Sequence, residues 1–430
     1  MDGSWFYTLR DIAVFFAAAM LFKYFIFLMI APWYRVKEAY RRLKFAEHFH
    51  KMPEQREYQP LVSVVVPAWN EEVGVIKTVR SLLKNTYHKI EIVVVNDGSA
   101  RDNTHEVVKR FLHTKAALAR RPQVQLKYFA HEVNKGKGAA LNTAIKHATG
   151  EIIITMDADS IFAPDAVEKM VNYFADPTVD AAVGNVKVAN NNTIVGRIQA
   201  LEYLFGFYYK RAHCVLGSEY IYGGACAAFR RSTTFERLGL FDDQNRTEDI
   251  EMSMRTKYNG LKSAYAEDVV CYTEGASTVH GLVSQRLRWK KGRFDTFIKY
   301  RRLFFSGDKR HRKALGWFVL PLALLAEFQL LFEPIAISLL VTYSIVSGDY
   351  VSIALGTLYV AVTYLVVGIF SREFKPSLLL MYPFTWPLFY FLVWVEYMVL
   401  LKSFTMMLRG EEIVWQSWDR RGIEAKGAAK

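Results

Sequence analysis

Cysteine is scarce in this chain: Cys214, Cys226 and Cys271 are the only three in 430 residues, and their spacing matches no metal-ligand pattern. That usage offers no disulfide framework and fits a reducing compartment. Low-complexity runs and internal repeats are absent. No GxGxxG follows the first β-like run and no GxxxxGKS/T loop occurs, so neither a dinucleotide fold nor a P-loop is supported. The first apolar block is too long for a cleaved leader, and no small-residue cleavage site follows it.

What is present divides into two regimes. From Val62 to about Lys309, apolar runs alternate with charged and Gly-rich segments as in a soluble α/β domain, while both flanks carry long apolar blocks rich in Phe, Tyr and Trp. Ile12 to Trp33, Leu315 to Val346, Tyr350 to Phe370 and Leu378 to Leu401 are each long enough to cross a bilayer. Basic residues at Arg35 to Arg42, Arg301 to Arg312, and Arg372 with Lys375 place the central domain on the cytoplasmic side. The tail, with Arg409, Arg420, Arg421, Lys426 and Lys430, asks for the same side, which conflicts with an odd number of later crossings. One block must be unusual: Pro321 and Pro334 interrupt the first of the three, Pro383 and Pro387 the last, so an interfacial or broken helix is expected in one. The formal charge of +13 lies largely beside the apolar blocks, which points to anionic lipid and away from nucleic acid.

Within the central domain, Val62 to Pro67, Ile90 to Val95, Val124 to Phe129 and Glu151 to Met156 read as strands, each of the first three followed by a polar loop and a helical pattern. Alternation of this kind implies a mostly parallel sheet, and the loops at Asn70, Asp97 and Asp157 converge at the carboxyl edge where ligands bind. The expected fold class is therefore α/β, flanked by transmembrane α-helices. The division is 1–34 membrane helix, 35–61 basic linker, 62–300 catalytic domain, 301–314 basic interfacial segment, 315–404 membrane or interfacial helices, and 405–430 tail.

Several motifs carry chemistry. Asp157-Ala158-Asp159 puts two hard oxygen ligands after a buried strand, a pattern suited to Mg²⁺ or Mn²⁺ on a diphosphate; alone, it equally describes a solvated turn. Thr247-Glu248-Asp249 precedes a helix, either as an ordinary acidic N-terminus or as the source of a general base. Gln285, Arg288 and Trp289, at i, i+3 and i+4, share a helical face that offers an amide, a guanidinium and an aromatic plate. Lys137 follows a Gly-rich loop and suits phosphate contact. Gly223 to Ala228 is a run of small residues permitting close approach, or a tight turn. His280 reads as a surface histidine, and Glu202 with Tyr203 as packing or channel lining.

Taken in order, Pro67 to Glu71, Asn96-Asp97-Gly98-Ser99, Asp157-Ala158-Asp159, Thr247-Glu248-Asp249 and Gln285-x-x-Arg288-Trp289 resemble the processive glycosyltransferases of family 2, which include poly-N-acetylglucosamine, hyaluronan, chitin and cellulose synthases. The resemblance covers roughly Val62 to Tyr300 and implies a GT-A-type domain that inverts at the anomeric carbon of a UDP-sugar. It implies that Glu71 and Asp97 hold the uridine, Lys137 the diphosphate, and Asp157 the ribose and diphosphate region. Asp159 would ligate Mg²⁺ or Mn²⁺, and Asp249 would be the base, supported by Thr247 and Glu248. Gln285 and Arg288 would meet the diphosphate, Trp289 would stack on the terminal acceptor sugar, and Gly224, Ala225 and Cys226 would lie beside that acceptor. Gly224 to Arg231 and the single amino-terminal helix are most similar to the bacterial poly-N-acetylglucosamine synthases. The missing cyclic-dinucleotide barrel argues against cellulose. The implied partners are a UDP-sugar, a growing polysaccharide, the bilayer of the plasma (inner) membrane and, as an option, a small membrane accessory subunit. Rival readings are a hyaluronan- or chitin-type synthase, single-sugar transfer to a lipid, and a transporter with a regulatory nucleotide-binding domain.

Overall fold

The computed structural model describes residues 4–51, 58–114, 124–190, 193–371, 385–411 and 422–423. It opens with helices α1 (Ser4–Ile30) and α2 (Trp33–Lys51), so much of the stretch expected as a basic linker is helical. There follow β1 (Val62–Ala68), α3 (Val75–Leu83), β2 (Ile90–Asp97), α4 (Thr104–Leu112), β3 (Val124–His131), α5 (Lys137–His147) and β4 (Ile152–Thr155). β1 and β2 are buried at every position and dominated by Val and Ile, as strands covered on both faces must be. Val64 and Val66 enter one core while Val65 enters the other, because successive side chains leave a strand on opposite faces.

β1 pairs in parallel with β2 and β4, and β2 with β3, in a register that opposes Val62 to both Ile90 and Ile152. The carboxyl ends therefore finish level, and the loops after β1, β2 and β4 meet at one edge. Beyond β4 the chain adds β5 (Ile161–Phe162), α6 (Ala166–Phe174), β6 (Ala181–Val188), α7 (Ile194–Leu216), β7 (Ala227–Arg230), α8 (Arg231–Leu238), α9 (Glu248–Tyr258), β8 (Ser263–Thr273) and α10 (Val279–Lys299). The strand order is β3-β2-β1-β4-β7-β6-β8-β5, with β7 antiparallel to both its neighbours. The small-residue run thus ends as a central strand. Its smallness has a packing cause: a Cβ at Gly184 of β6 would stand 2.2 Å from the Cys226 sulfur.

A π-helical turn, Leu315–Val319, leads into α11 (Leu320–Ser347), α12 (Val351–Phe370) and α13 (Thr385–Leu408). Among the described residues, three helical stretches are long and apolar enough to cross a membrane: Leu315–Ser347, Ile353–Phe370 and Tyr390–Leu408. Neither proline of the first breaks it. Pro321 follows closely on the π-helical turn, and the helix runs on unbroken through Pro334. α1 packs against α11, α12 and α7, so the amino-terminal helix joins the same bundle.

The carbonyl of Phe370, at the end of α12, accepts from Arg35 Nη2 at 2.8 Å and Arg211 Nη1 at 3.1 Å. The Gly422 amide donates to Glu274 Oε2 at 3.1 Å, and Ile423 is buried. Both ends of 371–422 therefore touch the catalytic domain, and α13 between them lays Phe391, Leu392, Val395 and Val399 in a cluster with Leu282 and Leu287 of α10. Arg372, Lys375, Pro383, Arg420, Arg421, Lys426 and Lys430, used in the topology argument, lie outside the described residues.

Glu91 is the one acidic residue inside β2 before its final Asp97, and it is fully buried. Burial raises its pKa, but Lys127, Ser63 and the Thr149 amide at 2.8 Å outweigh that and hold the carboxyl below its ordinary range. A carboxylate depressed in this way stabilises the fold above the unfolded pKa of about 4.3 and loses that contribution as pH falls through the folded value. Lys127→Met leaves Glu91 without its counter-ion and should cost about 3 kcal/mol at pH 7. Denaturant titrations should show the gap between variant and wild type narrowing as pH is lowered past that window.

Candidate active site

The level carboxyl ends of β1, β2 and β4 form one wall of a cavity of about 520 Å³; α7, the loop before β7, the first turn of α9 and α10 form the other. Glu71, Asp97, Lys137, Asp157, Asp159, Gly224, Ala225, Glu248, Asp249, Gln285, Arg288 and Trp289 all line it. Residues from seven separate loops, strand ends and helices thus share one space. Two do not reach it. Cys226 is fully buried, its sulfur turned toward Gly184 as the chain enters β7, and Thr247 is buried under Gly292 of α10. His280 is exposed and outside the lining.

The loop after β1 is held by the loop after β2. The Asn70 amide donates to Ser99 Oγ at 2.9 Å, the Glu71 amide to Thr104 Oγ1 at 2.8 Å, and the Arg101 amide to Asn70 Oδ1 at 3.1 Å. Asn70 has φ 54°, a left-handed conformation that Asn tolerates better than most residues. Asp97 receives His131 Nδ1 at 2.7 Å and the Lys135 amide at 3.0 Å on Oδ1, and Asn134 Nδ2 at 3.0 Å and the Gly136 amide at 2.8 Å on Oδ2. These four bonds occupy the capacity of a carboxylate, so Asp97 acts on the cavity by shaping the Gly-rich loop.

Lys137, the first residue of α5, spans the cavity floor. Its Nζ is 2.6 Å from Asp157 Oδ1 and 3.2 Å from Glu248 Oε1, joining the carboxyl end of β4 to the first turn of α9. Burial opposes the charge on Lys137, but Asp157, Glu248 and Asp249 outweigh it and raise its pKa. Burial pushes the Glu248 carboxyl up, with Lys137 opposing and Asp249 adding to the shift. Glu248 is buried and engaged, while its neighbour Asp249 is half-buried at the cavity wall. Gly224 is required here: a Cβ would lie 2.5 Å from Lys137 Nζ. Gly292 is required one layer out, because a Cβ would stand 2.1 Å from Thr247 Oγ1.

Asp159 is buried and oriented by Ser160 Oγ at 3.1 Å and Thr273 Oγ1 at 3.2 Å, both donating to Oδ1. Among the described residues no group of three or more His, Cys, Asp or Glu side chains is placed to hold a metal. Asp157 and Asp159 at the cavity fit Mg²⁺ or Mn²⁺, which bind through one or two carboxylates with phosphates and water more than through protein cages.

The far end of the cavity is aromatic and polar, with Tyr203, Phe207, Tyr209, Tyr220 and Trp289 in its lining. Buried Glu219 was not legible in the sequence. It accepts from the Ile221 amide at 3.3 Å and lies 3.5 Å from Lys210 Nζ, and nothing around it marks it locally. Glu219 Oε2 and Gln285 Oε1 are buried without hydrogen-bond partners among the described residues, leaving acceptors for a hydroxylated ligand.

Behind Trp289 lies a second finding. Arg286 stacks 4.7 Å from the Trp289 ring centroid while pairing with Glu202 of α7 and, at 3.6 Å, Glu396 of α13. Lys290 meets Glu396 at 2.7 Å and Glu327 of α11 at 2.8 Å, and Arg293 meets Glu327 at 2.9 Å. Three cations of one helix thus balance three carboxylates from three others. Glu327→Ala leaves the buried Lys290 and the half-buried Arg293 short of a counter-charge and should cost about 3 kcal/mol, read as a lowered unfolding midpoint in detergent.

The profile of Glycosyl transferase family 2 matches residues 63–235, and that of Glycosyl transferase family group 2 matches residues 152–406. The chain is similar to the poly-beta-1,6-N-acetyl-D-glucosamine synthase of Staphylococcus aureus (strain COL), 30% identical over 254 residues, 58% of each chain. It is similar also to that of Staphylococcus epidermidis, 31% identical over 241 residues, 55% of this chain and 56% of that one. The matches span a little over half the length of these relatives. The mannosyltransferase PcManGT from Pyrobaculum calidifontis, solved with GDP-Man and Mn²⁺, shares the fold: TM-score 0.59, 23% identity, 94% of this chain and 100% of that one. With a family profile that runs from β4 through the active-site helices into α13, the chain belongs to glycosyl transferase family group 2.

Proposed function

We propose that this protein is a processive, inverting transferase that takes N-acetylglucosamine from its UDP donor, elongates a poly-β-1,6-N-acetylglucosamine chain and passes it across the membrane. The observation that carries the reading is the single cavity with a phosphate-suited end, an aromatic end and Asp249 at its wall. The named activity of the staphylococcal relatives supports the choice of sugar.

In this reading uridine lies against Glu71 and the loop that Asp97 organises, with Asp157 near the ribose. Lys137 and Arg288 present positive charge to the diphosphate, and Gln285 offers its amide. Asp159 would hold Mg²⁺ or Mn²⁺, which supplies further neutralisation of the departing UDP when bound. Trp289 stacks on the terminal acceptor sugar, its ring steadied by Arg286. Asp249 takes the proton from the acceptor hydroxyl as that oxygen attacks the anomeric carbon. The bond to the diphosphate breaks on the opposite face, so one displacement inverts the centre. Glu248, already paired to Lys137, stays with the donor side and leaves Asp249 for the acceptor.

The catalytic unit, 62–300, would face the cytoplasm of a multi-pass plasma-membrane protein. α1, α11 and α12 would cross, while α13, with both flanks on the catalytic domain, would lie at the interface. Basic residues at Arg35 and Arg211 on the end of α12 support that orientation.

Incubation of the full chain in nanodiscs with UDP-N-acetylglucosamine and Mg²⁺ or Mn²⁺ tests the reading. Wild type should release UDP and make long, β-1,6-linked product. Asp249→Asn should lower UDP release by about 10²–10⁴-fold with donor affinity retained. Trp289→Ala should shorten the product more than it slows UDP release. Turnover indifferent to Asp249→Asn, or a polymer of another sugar or linkage, sinks the assignment of base or of product respectively.

A further inference from the structure

A second cavity, about 560 Å³, opens apart from the catalytic one, where the start of α2, the end of α9, the start of β8 and segment 309–315 meet. It lies at the catalytic-domain end of the bundle, because α2 follows α1 directly and residues 309–315 lead into α11. Its lining is strongly one-signed. Lys257 and His311 are buried at its base, with Lys37, Lys262, Lys309 and Arg312 exposed around it. The one carboxylate in the lining, Glu38, is already engaged by Arg41 at 2.8 Å and Arg42 at 2.9 Å.

Not all of these cations are available. His311 is committed to Ser306 Oγ at 2.7 Å and the Tyr258 carbonyl at 2.9 Å, and Lys37 donates to the Cys214 carbonyl at 2.5 Å. Lys257 donates to the Ser263 hydroxyl at 2.5 Å and lies 5.9 Å from the Tyr222 ring centroid, and no carboxylate lies within 4.0 Å of Lys257, Lys262, Lys309 or Arg312 among the described residues. Burial pulls Lys257 down to about 8; Glu219, Cys214 and Asp180 oppose that shift and Arg312 adds to it. Arg312 is held against the end of α7, its Nε 3.3 Å from where a Cβ of Gly217 would be. A buried ammonium and a nearby guanidinium, neither in contact with a carboxylate among the described residues, make this polar cavity favourable to an anion.

We propose that this cavity binds a phosphate group, the chemistry shared by an anionic lipid headgroup and a soluble phosphorylated metabolite, with Lys257 and Arg312 as its principal donors. The place at the bundle's catalytic end favours the headgroup. The site is separate from the transferase cavity and does not depend on the reaction assigned to it.

The test uses the full chain in nanodiscs of phosphatidylcholine, alone or with phosphatidylglycerol, and in detergent with inorganic phosphate or glycerol 1-phosphate. Retained phospholipid per protein is read by native mass spectrometry, alongside the unfolding midpoint. Selective retention of phosphatidylglycerol, weakened about tenfold by Lys257→Met and by the exposed Arg312→Gln but not by Arg302→Gln, supports the site with lipid as its source. A midpoint raised by the soluble phosphates and abolished by the same two variants, with no lipid selectivity, supports the site with a soluble source. No response to any phosphate probe, or equal effects of all three variants, overturns it. Arg312→Gln keeps the test decisive should Lys257→Met fail to fold.

Discussion

The Lys137 ammonium, clamped between Asp157 and Glu248, is the contact on which the catalytic geometry rests. Asp157 belongs to the parallel half of the sheet and Glu248 to a helix of the second, mixed half. Without a cation between them, two carboxylates would face one another at the floor of a half-buried cavity, with Asp249 adjacent, and repulsion would open the seam between donor and acceptor sides. The small residues around the clamp follow from it. Gly224 leaves room for the Lys137 side chain, and Gly292 lets α10 close over Thr247, which brings Gln285, Arg288 and Trp289 to the cavity.

A second electrostatic layer connects that cavity to the membrane bundle. Arg286, Lys290 and Arg293 occupy the face of α10 adjoining the one that carries Gln285 and Trp289, and they find counter-charges on α7, α11 and α13. Charges so poorly hydrated are tolerable only as a balanced set, so the position of α10 and the positions of the apolar helices constrain one another. Glu327 and Glu396, two carboxylates within the apolar blocks, are in this fold counter-ions of the active-site helix.

The tail and the last apolar helix make a related point. A stretch such as Tyr390–Leu408 has the length and composition of a span, yet Val395 and Val399 are sequestered with Leu282 and Leu287, and Gly422 reaches Glu274. Apolar length is a necessary condition for crossing, and packing against a soluble domain satisfies the same hydrophobic demand.

Much of the fold's first half was legible in the residue order, because β1, β2 and β4 are short β-branched runs closed by polar loops and the intervening helices carry clear apolar periodicity. The chemistry-bearing loops were legible for the same reason: Asp97, Asp157 with Asp159, and Glu248 with Asp249 each stand at the end or start of a regular element. β6, β7 and β8 were not, since their small and mixed residues carry no periodic mark and owe their strand state to neighbours distant in sequence, as Gly184 does to Cys226. Local pattern by itself determined which residues are acid, base or aromatic and which elements present them. Only the tertiary structure decided that Cys226 faces the core, that Asp97 spends its oxygens on the end of β3 and the Gly-rich loop after it, that Glu248 pairs with Lys137, and that Glu219, Glu327 and Glu396 matter. Those outcomes depend on distances between residues far apart in the chain, which sequence order does not encode.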